Sequence, residues 1–258
     1  MEERLEYNYR GLGVLTLCVL LFAVGIWRFG GGTAPVSSTF GGKAQPVCSV
    51  ITDKKQVSLT FDTVGGNGDI QEILDILAKY QIKATFFITG EWVKRYPEDV
   101  KRILAGGHDL GNHTQNHENM KGLTEEECQK EMLELHAEVK ALTGYGMFLF
   151  RSPYGNYDNR VLSCAKECGY YAVQGNVDSL DWKNYGTRSI LETVLDNKEL
   201  GNGSIILCRS GGKYTVQALE QLILGLQKKG FGLVPVSSLI YKENYYIDQE
   251  GRQGLIQS

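Results

Sequence analysis

Short strand-like runs alternate with longer helix-like runs over most of this sequence, and that alternation restricts the fold more than any other feature. Residues 56–62 (QVSLTFD) are rich in β-branched and apolar side chains, whereas residues 69–81 are apolar at a helical spacing of three and four. Residues 83–90 (KATFFITG) form the next strand-like run. Strands separated by helices favour a parallel sheet or a barrel wound by crossover connections. We therefore predict an α/β domain over residues 47–240.

The alternation continues to the end of that domain. Two helix-like runs carry their own start signals: Pro97 opens one, and Thr124 with Glu127 three residues later predicts a capping box at another. The further strand-like runs are 147–153, 171–178, 204–210 and 232–240, and the further helix-like runs are 97–107, 123–144, 159–169, 189–199 and 215–230.

The first 46 residues differ in composition from the rest of the chain. Residues 12–29 carry no charge until Arg28, and these 18 residues would span about 27 Å as a helix, close to the hydrocarbon thickness of a bilayer. We predict a single-pass transmembrane signal-anchor there, after a short cytoplasmic N-terminus of residues 1–11, and a cleaved signal peptide is the alternative. Either interpretation places the domain on the extracytoplasmic side of the cell membrane. Residues 30–46, rich in Gly, Ser and Thr, predict a flexible linker.

Two further features concern the C-terminus and the partners. Residues 241–258 are polar and are predicted to form a loosely ordered tail. The net charge is −3 and no basic stripe is present, so nucleic acid is a poor candidate partner.

Two of the four histidines lie four residues apart, at His113 and His117 within GHDLGNHTQNH. In a helical turn, that spacing puts both imidazoles on one face. Two neutral imidazoles placed in this way form half of a zinc-type site. The alternative is a pair of surface or capping histidines, because the same spacing also arises by chance.

Polar side chains with catalytic potential collect where the strand-like runs end. In parallel α/β folds these ends meet at one face, which is where active sites form. We therefore expect one pocket to be built from them. The positions are Asp62, the pair His113 and His117, Arg151 with the following residues 152–155, Asp178 with Asp181 and Trp182, and residues 207–209.

Four stretches of this sequence resemble the polysaccharide deacetylase family, also called the NodB homology domain, of carbohydrate esterase family 4. They are ATFFITG, GGHDLGNHTQNH, FRSPYGNYD and VDSLDW, and the resemblance covers residues 57–240. The resemblance implies a distorted (β/α) barrel with fewer than eight regular units. It also implies metal-dependent hydrolysis of N-acetyl groups on an aminosugar polymer, such as peptidoglycan or a chitin-like glycan. The general look of the sequence is similar to the membrane-anchored or sporulation-associated bacterial branch.

Five residues that match the family motifs acquire roles from this resemblance. It implies that Asp62 is the general base and that Arg151 orients it. It implies that His113 and His117 bind a divalent metal ion, with zinc as the expected ion. The Tyr154 backbone N–H would help to hold the oxyanion.

The remaining roles concern the pocket walls and the leaving group. By the same resemblance, Trp182 and Leu207 wall the pocket for the acetyl methyl group. Asp181 is the carboxylate that would hold a general-acid histidine, but Arg209 stands at the position of that histidine. Because Arg209 cannot release a proton near neutral pH, we expect it to pair with Asp181 and to stabilise negative charge.

A second departure from the family pattern is Thr63, which stands where the family has a metal-binding Asp. A neutral hydroxyl is a poorer zinc ligand than a carboxylate, so we expect a weakened metal site. Asp62, Asp69 or a water molecule are the candidate replacements for the missing ligand. The sequence thus predicts a deacetylase-like hydrolase, and the alternative is a catalytically impaired carbohydrate-binding or regulatory protein at the cell envelope.

Overall fold

The structure, a computed structural model, describes residues 37–39 and 43–256. The predicted transmembrane segment, residues 12–29, and the N-terminal residues 1–11 lie outside these ranges and stay predictions. Among the described residues, no helix is both long and apolar enough to cross a membrane.

Two β-sheets contain the strands of the described ranges. The strands are β1 (Ser37–Thr39), β2 (Ser49–Val50), β3 (Gln56–Thr63), β4 (Thr85–Ile88), β5 (Asp109–Asn112), β6 (Leu149–Phe150), β7 (Tyr171–Ala172), β8 (Val177–Asp178), β9 (Ile205–Arg209), β10 (Gly232–Leu233), β11 (Tyr245–Ile247) and β12 (Arg252–Leu255). The larger sheet has the order β7-β6-β5-β4-β3-β9-β8, with β10 beside the start of β3. Its strand pairs are all parallel, as the alternation of strands and helices predicts.

The α-helices connect these strands and bury one face each. Within the described residues they are α1 (Ile70–Lys79), α2 (Gly90–Arg95), α3 (Pro97–Ala105), α4 (Glu125–Thr143), α5 (Asn159–Glu167), α6 (Thr187–Leu195), α7 (Thr215–Lys228) and α8 (Val236–Leu239). The start signals act as predicted: Thr124 and Glu127 form a capping box before α4, and Pro97 is the first residue of α3. The apolar stripes of α1 and α7 join the apolar strand residues in one core, which fixes the helices against the sheet.

The large sheet curls because its two edge strands are almost consecutive in the sequence. β7 ends at Ala172 and β8 begins at Val177, so four residues connect opposite edges of the sheet. A connection of that length reaches at most about 18 Å. The sheet therefore curls into a half-barrel, and the expected distorted barrel is confirmed at this level.

Residues near β2 bridge the seam between the two edges. The Val47 N–H donates to the Ala172 carbonyl at 2.8 Å, and the Gln174 N–H donates to the Val47 carbonyl at 2.8 Å. On the other side of the seam, the Val50 N–H donates to the Gly203 carbonyl at 2.9 Å. These bonds satisfy strand-edge groups that would otherwise be left unpaired, so the start of the domain completes the barrel wall.

The C-terminal segment contains two strands within its described residues, up to residue 256, contrary to the predicted loose tail over residues 241–258. β11 and β12 pair as an antiparallel hairpin, and β12 also pairs with β2. Tyr245 in β11 is only 3% exposed. Because β1 pairs with β11, part of the predicted flexible linker, residues 30–46, belongs to the same sheet. The prediction was wrong here because tyrosine side chains combine a polar tip with a large apolar ring that can be buried.

The last predicted strand, residues 232–240, is also shorter than expected. β10 covers only its first two residues, and Pro235 is the N-cap of helix α8. Proline has no N–H to donate to a ladder, so the strand ends before it and the remaining apolar residues form a helical turn.

We expect the substitution Gly203→Ala to open the seam. Gly203 has a φ of +79°, and a Cβ at this position would lie 1.8 Å from the Val50 carbonyl oxygen. Since both the backbone conformation and a main-chain clash oppose the side chain, the free energy of unfolding should fall by about 2–4 kcal/mol in urea denaturation. Gly201→Ala is the matched control, because a Cβ at Gly201 meets nothing within 4 Å. Equal stability of the two variants would contradict the role given to the seam.

Candidate active site

A cavity of about 590 Å³ opens at the carboxyl ends of the parallel strands. Strands β3, β8 and β9 contribute Asp62, Asp178 and Arg209 to it, and β5 leads directly to the histidine pair. The structure thus brings together most of the residues that the sequence singles out. Those that line the cavity are Asp62, His113, His117, Tyr154, Trp182, Leu207 and Arg209.

A buried arginine holds Asp62, near the end of β3. Arg151 Nη1 donates to Asp62 Oδ1 at 2.6 Å and to Thr60 Oγ1 at 2.9 Å, while Nη2 donates to the Gln174 carbonyl at 2.6 Å. The guanidinium also lies over the Phe87 ring, 4.0 Å from its centroid. Burial by itself raises the pKa of Asp62, but the charge and hydrogen bond of Arg151, together with His113 and Arg209, outweigh burial and hold this pKa below its usual range. Asp62 is therefore a carboxylate at neutral pH.

The two histidines converge, although not on a helical turn as predicted. β5 ends at Asn112, and the pair lies in the loop that follows. Thr114 and His117 have left-handed φ values of 71° and 55°, which a helical turn does not allow. The ring centroids of His113 and His117 are nevertheless 4.8 Å apart, and His113 Nε2 is 4.0 Å from Asp62 Oδ2. The helical placement was wrong, and the loop itself brings the imidazoles together.

Both imidazoles are neutral near pH 7. Burial lowers the pKa of His113, and burial also lowers the pKa of His117 to about 4. His113 Nδ1 lies 2.8 Å from the Arg151 carbonyl, which only accepts hydrogen bonds, so Nδ1 carries the proton. The lone pair of His113 is consequently on Nε2, on the side of Asp62. A neutral imidazole with a free lone pair is the form that binds metal ions.

Two carboxylates fix Arg209 at the end of β9. Its Nη1 lies 3.1 Å from Asp178 Oδ1 and 3.0 Å from Asp181 Oδ1. Asp181 Oδ2 also accepts the Arg209 backbone N–H at 2.7 Å and the Thr215 hydroxyl at 2.8 Å. Burial lowers the pKa of Arg209, but the two carboxylates outweigh burial and raise it above its usual value. Arg209 thus pairs with Asp181, as the sequence predicts, and stays charged.

Neither Thr63 nor Asp69 completes a metal site in this structure. Thr63 is fully buried outside the cavity lining, with its hydroxyl 3.5 Å from the Phe61 carbonyl, and its role at the metal stays a prediction. Asp69 accepts the Gly211 N–H and also lies outside the lining. Among the residues that the structure describes, no group of three or more His, Cys, Asp or Glu side chains is arranged to hold a metal ion. The described residues thus fit a divalent cation in part, since they offer two imidazole nitrogens and no third side chain arranged as a ligand.

Aromatic and apolar side chains form the walls of the cavity. Trp182 and Tyr154 are more than half exposed and border the opening, whereas Leu207 is 5% exposed. The Tyr154 ring centroid lies 4.7 Å from that of His117. Leu207 packs against Gly175, where a Cβ would meet its Cδ1 at 1.9 Å. Flat rings at the rim and an apolar interior suit a sugar ring and a small methyl group.

Several lining residues had no role assigned from the sequence. Two of them support the arginines: both carboxylate oxygens of Asp178 face Arg209, and the Gln174 carbonyl accepts from Arg151. Asp178 was expected in the pocket because it ends a strand-like run, although no role was given to it, whereas a backbone carbonyl such as that of Gln174 leaves no sequence signal. The unassigned lining residues are Val64, Ser152, Gly155, Gln174, Asp178 and Ser210.

The fold and the pocket together define a class of protein. A curled parallel sheet carries an ionised carboxylate, its arginine partner and two neutral imidazoles at the carboxyl ends of its strands. This is the arrangement of α/β barrel enzymes, in which acid–base groups and potential metal ligands come from several strand ends. The match to a family model described as polysaccharide deacetylase, over residues 49–173, agrees with that class. The chain belongs to the polysaccharide deacetylase family, whose members are hydrolases.

Individual relatives agree with this assignment. The chain is 36% identical over 191 residues to a peptidoglycan-N-acetylglucosamine deacetylase of Bacillus cereus, covering 72% of this chain and 69% of the relative. It is similar to the solved structure of a CE4 family pseudoenzyme from Bacillus anthracis, with a TM-score of 0.73, 29% identity and coverage of 77% and 70%. A mutant of that pseudoenzyme with restored enzymatic activity has a TM-score of 0.73, 30% identity and coverage of 77% and 72%.

We expect the substitution Arg151→Met to leave Asp62 as a buried carboxylate without its cation. The free energy of unfolding in urea should then fall by about 3–5 kcal/mol at pH 7. With Arg151, the lowered pKa of Asp62 stabilises the fold above the unfolded-state pKa of about 3.9, and this stability is lost as the pH falls through the folded pKa. Without Arg151, burial raises the pKa of Asp62, so this carboxylate takes up a proton at a higher pH in the variant than in the parent. The difference in the free energy of unfolding between parent and variant therefore becomes smaller as the pH falls.

The control for this prediction is Asp62→Asn in the Arg151→Met background. Because the amide does not ionise, the double variant should lose the pH dependence specific to Arg151→Met. A stability difference that stays constant between pH 7 and pH 4 would contradict the assignment of the charge to Asp62.

Proposed function

We propose that this protein binds an N-acetylated aminosugar polymer such as peptidoglycan and hydrolyses its N-acetyl groups. The observation that carries the proposal is the placement of Asp62, an ionised carboxylate oriented by Arg151 that lies 4.0 Å from His113. A general base must be ionised and held within reach of the water that it activates. The named activity of the Bacillus cereus relative supports the choice of substrate.

In the proposed reaction, Asp62 takes a proton from a water molecule, and the water oxygen attacks the acetamide carbonyl. The carbon–nitrogen bond then breaks to give acetate and a free amine on the sugar. The Tyr154 backbone N–H donates to the oxyanion, and Trp182 and Leu207 surround the acetyl methyl group. Arg151 keeps Asp62 ionised before the proton transfer.

A divalent cation, with zinc as the expected ion, would be held by His113 and His117. When bound, it supplies Lewis acidity and lowers the pKa of water in the site. Both imidazoles are neutral, and the burial of His113 beside Asp62 supports this role. With two protein ligands instead of three, we expect weak binding that depends on the zinc concentration.

The leaving amine has no dedicated proton donor in this site. Arg209 stays charged between Asp178 and Asp181 and therefore serves to stabilise negative charge. The proton on the amine comes from Asp62, after it has taken one from water, or from solvent. Loss of a general acid lowers the rate by about a hundred- to ten-thousand-fold, so we expect slow turnover.

Glycan binding without turnover is the second candidate function, and the surroundings of Arg209 favour it. Asp178 and Asp181 use three hydrogen bonds to hold its guanidinium, so a stable ion pair occupies the place where a general acid would act. The similarity to a CE4 family pseudoenzyme is consistent with this candidate. Trp182 and Tyr154 would still contact sugar rings in a protein of this kind, which would bind or regulate at the cell envelope.

We further propose that the domain acts on the extracytoplasmic side of the cell membrane, carried by the predicted single-pass segment of residues 12–29. The support is the uncharged run in that segment and the choice of a cell-wall glycan as substrate.

The first test is acetate release by the full chain from N-acetylglucosamine oligomers, at high enzyme concentration and saturating zinc. We expect slow release that a chelator abolishes and that Asp62→Asn lowers about a hundred-fold or more. Absence of acetate from the parent would rule out the hydrolase. Activity gained only on combining Thr63→Asp with Arg209→His would then identify a binding protein on a deacetylase fold.

The second test is the zinc content of the full chain after equilibrium dialysis. We expect His113→Ala to abolish the bound zinc, because it removes one of two imidazole ligands. The control is His136→Gln, since His136 lies outside the cavity lining and bonds to the Tyr170 hydroxyl. If the parent and His113→Ala retain equal zinc, the pair is not the metal site.

A further inference from the structure

We infer that Glu131, on helix α4, is a positioning residue that sets the location of His117 in the pocket. This inference rests on the proposed role of His117 as a metal ligand. Glu131 is 7% exposed and is not part of the cavity lining, so it acts through the loop that joins the two histidines.

The two histidine rings are held in different ways. The His113 ring is fixed by the contact of Nδ1 with the Arg151 carbonyl at 2.8 Å. Over the described ranges, neither ring nitrogen of His117 has a hydrogen-bond partner. Its ring contacts are with His113 and Tyr154, at centroid distances of 4.8 Å and 4.7 Å. The location of the His117 ring therefore depends on the backbone that carries it.

The backbone of the loop between His113 and His117 is neither helix nor strand, so no regular hydrogen-bond pattern stabilises it. Thr114 and His117 have left-handed φ values, which residues other than glycine rarely adopt. The N–H groups of these two residues are satisfied within the loop, by Asn112 Oδ1 at 2.9 Å and Thr114 Oγ1 at 3.0 Å. The loop thus keeps its shape only while the residues between Thr114 and His117 are also held.

Glu131 holds both of those central residues. The Gln115 N–H donates to the Glu131 backbone carbonyl at 2.9 Å. The Asn116 N–H donates to Glu131 Oε2 at 2.8 Å, and Asn116 Nδ2 donates to Glu131 Oε1 at 2.6 Å. A single residue therefore fixes the loop at three points, and two of them are on the residue directly before His117.

The charge of Glu131 indicates a role beyond packing. No cation forms an ion pair with it in the part of the chain that the structure describes, and a buried carboxylate without a cation is unfavourable for folding. A carboxylate offers two separate acceptor oxygens, which match the two donors of Asn116. The hydrogen bonds to the loop therefore explain why a carboxylate, and not an apolar side chain, lies at position 131.

A metal-free measurement tests the positioning directly. In the full chain in detergent, we expect a nuclear Overhauser effect between the ring protons of His117 and Tyr154. Glu131→Leu should abolish it, because the loop loses both side-chain bonds. The matched control is Glu127→Gln, which weakens the capping box of the same helix without touching the loop, so it should lower the melting temperature and keep the effect.

Zinc titration of the same variants provides the second measurement. We expect Glu131→Leu to weaken zinc binding about 10–100-fold, as is usual for residues that orient metal ligands. Glu131→Gln should retain most of the affinity, because its amide can accept the Asn116 N–H and donate to the turned side-chain oxygen. If Glu131→Leu does not fold, Asn116→Ala removes one of the same bonds at an exposed position and should weaken binding in the same direction.

The outcomes separate this inference from the proposed function. If the parent shows the contact between the His117 and Tyr154 rings but binds no zinc, the metal role is overturned. The ring contact can still be used in that case to test whether Glu131 positions His117. An unchanged ring contact in both Glu131→Leu and Asn116→Ala would overturn the positioning role, whatever the zinc affinity.

Discussion

One buried guanidinium joins the parts of the structure on which the pocket depends. Arg151 directly follows strand β6, donates to Asp62 at the end of β3, and donates to the Gln174 carbonyl at the seam of the sheet. Its own carbonyl fixes the His113 ring. A buried charge is tolerated only when it is paired and hydrogen-bonded. Arg151 must consequently stay in place for three features to form: the orientation of the candidate base, the placement of the His113 imidazole and the closure of the sheet.

The features that could be predicted from the sequence are those that local patterns determine. The helix stripe of α1 and the capping box at Thr124 need only neighbouring residues, so they could be identified without knowledge of the fold. The grouping of Asp62 and Arg209 at one face also followed, because parallel strands that pair in register bring their ends together. These patterns are sufficient to predict the parallel sheet and most of the residues that line the pocket.

The features that could not be predicted depend on packing and on contacts between residues that are far apart in the sequence. His113 and His117 have helical spacing, but Glu131, 15 residues beyond Asn116 in the sequence, holds the loop in another shape. The C-terminal hairpin forms against β1 and β2, from the other end of the domain. Asp62 lines the pocket, whereas the next residue, Thr63, is fully buried outside the lining, and the family motif alone does not reveal that difference.

The two departures that the family resemblance implies would change the electrostatics of the pocket in the same direction. Thr63 would remove a negative charge beside the proposed metal ion, and Arg209 would add a positive charge in place of a histidine. Both changes would oppose the binding of a divalent cation. N-acetylglucosamine is neutral, so the proposed contacts with Trp182, Tyr154 and Leu207 would be unaffected by this shift. In the proposed function, metal binding and glycan recognition would therefore depend on different residues in this site, and recognition would persist where turnover is slow.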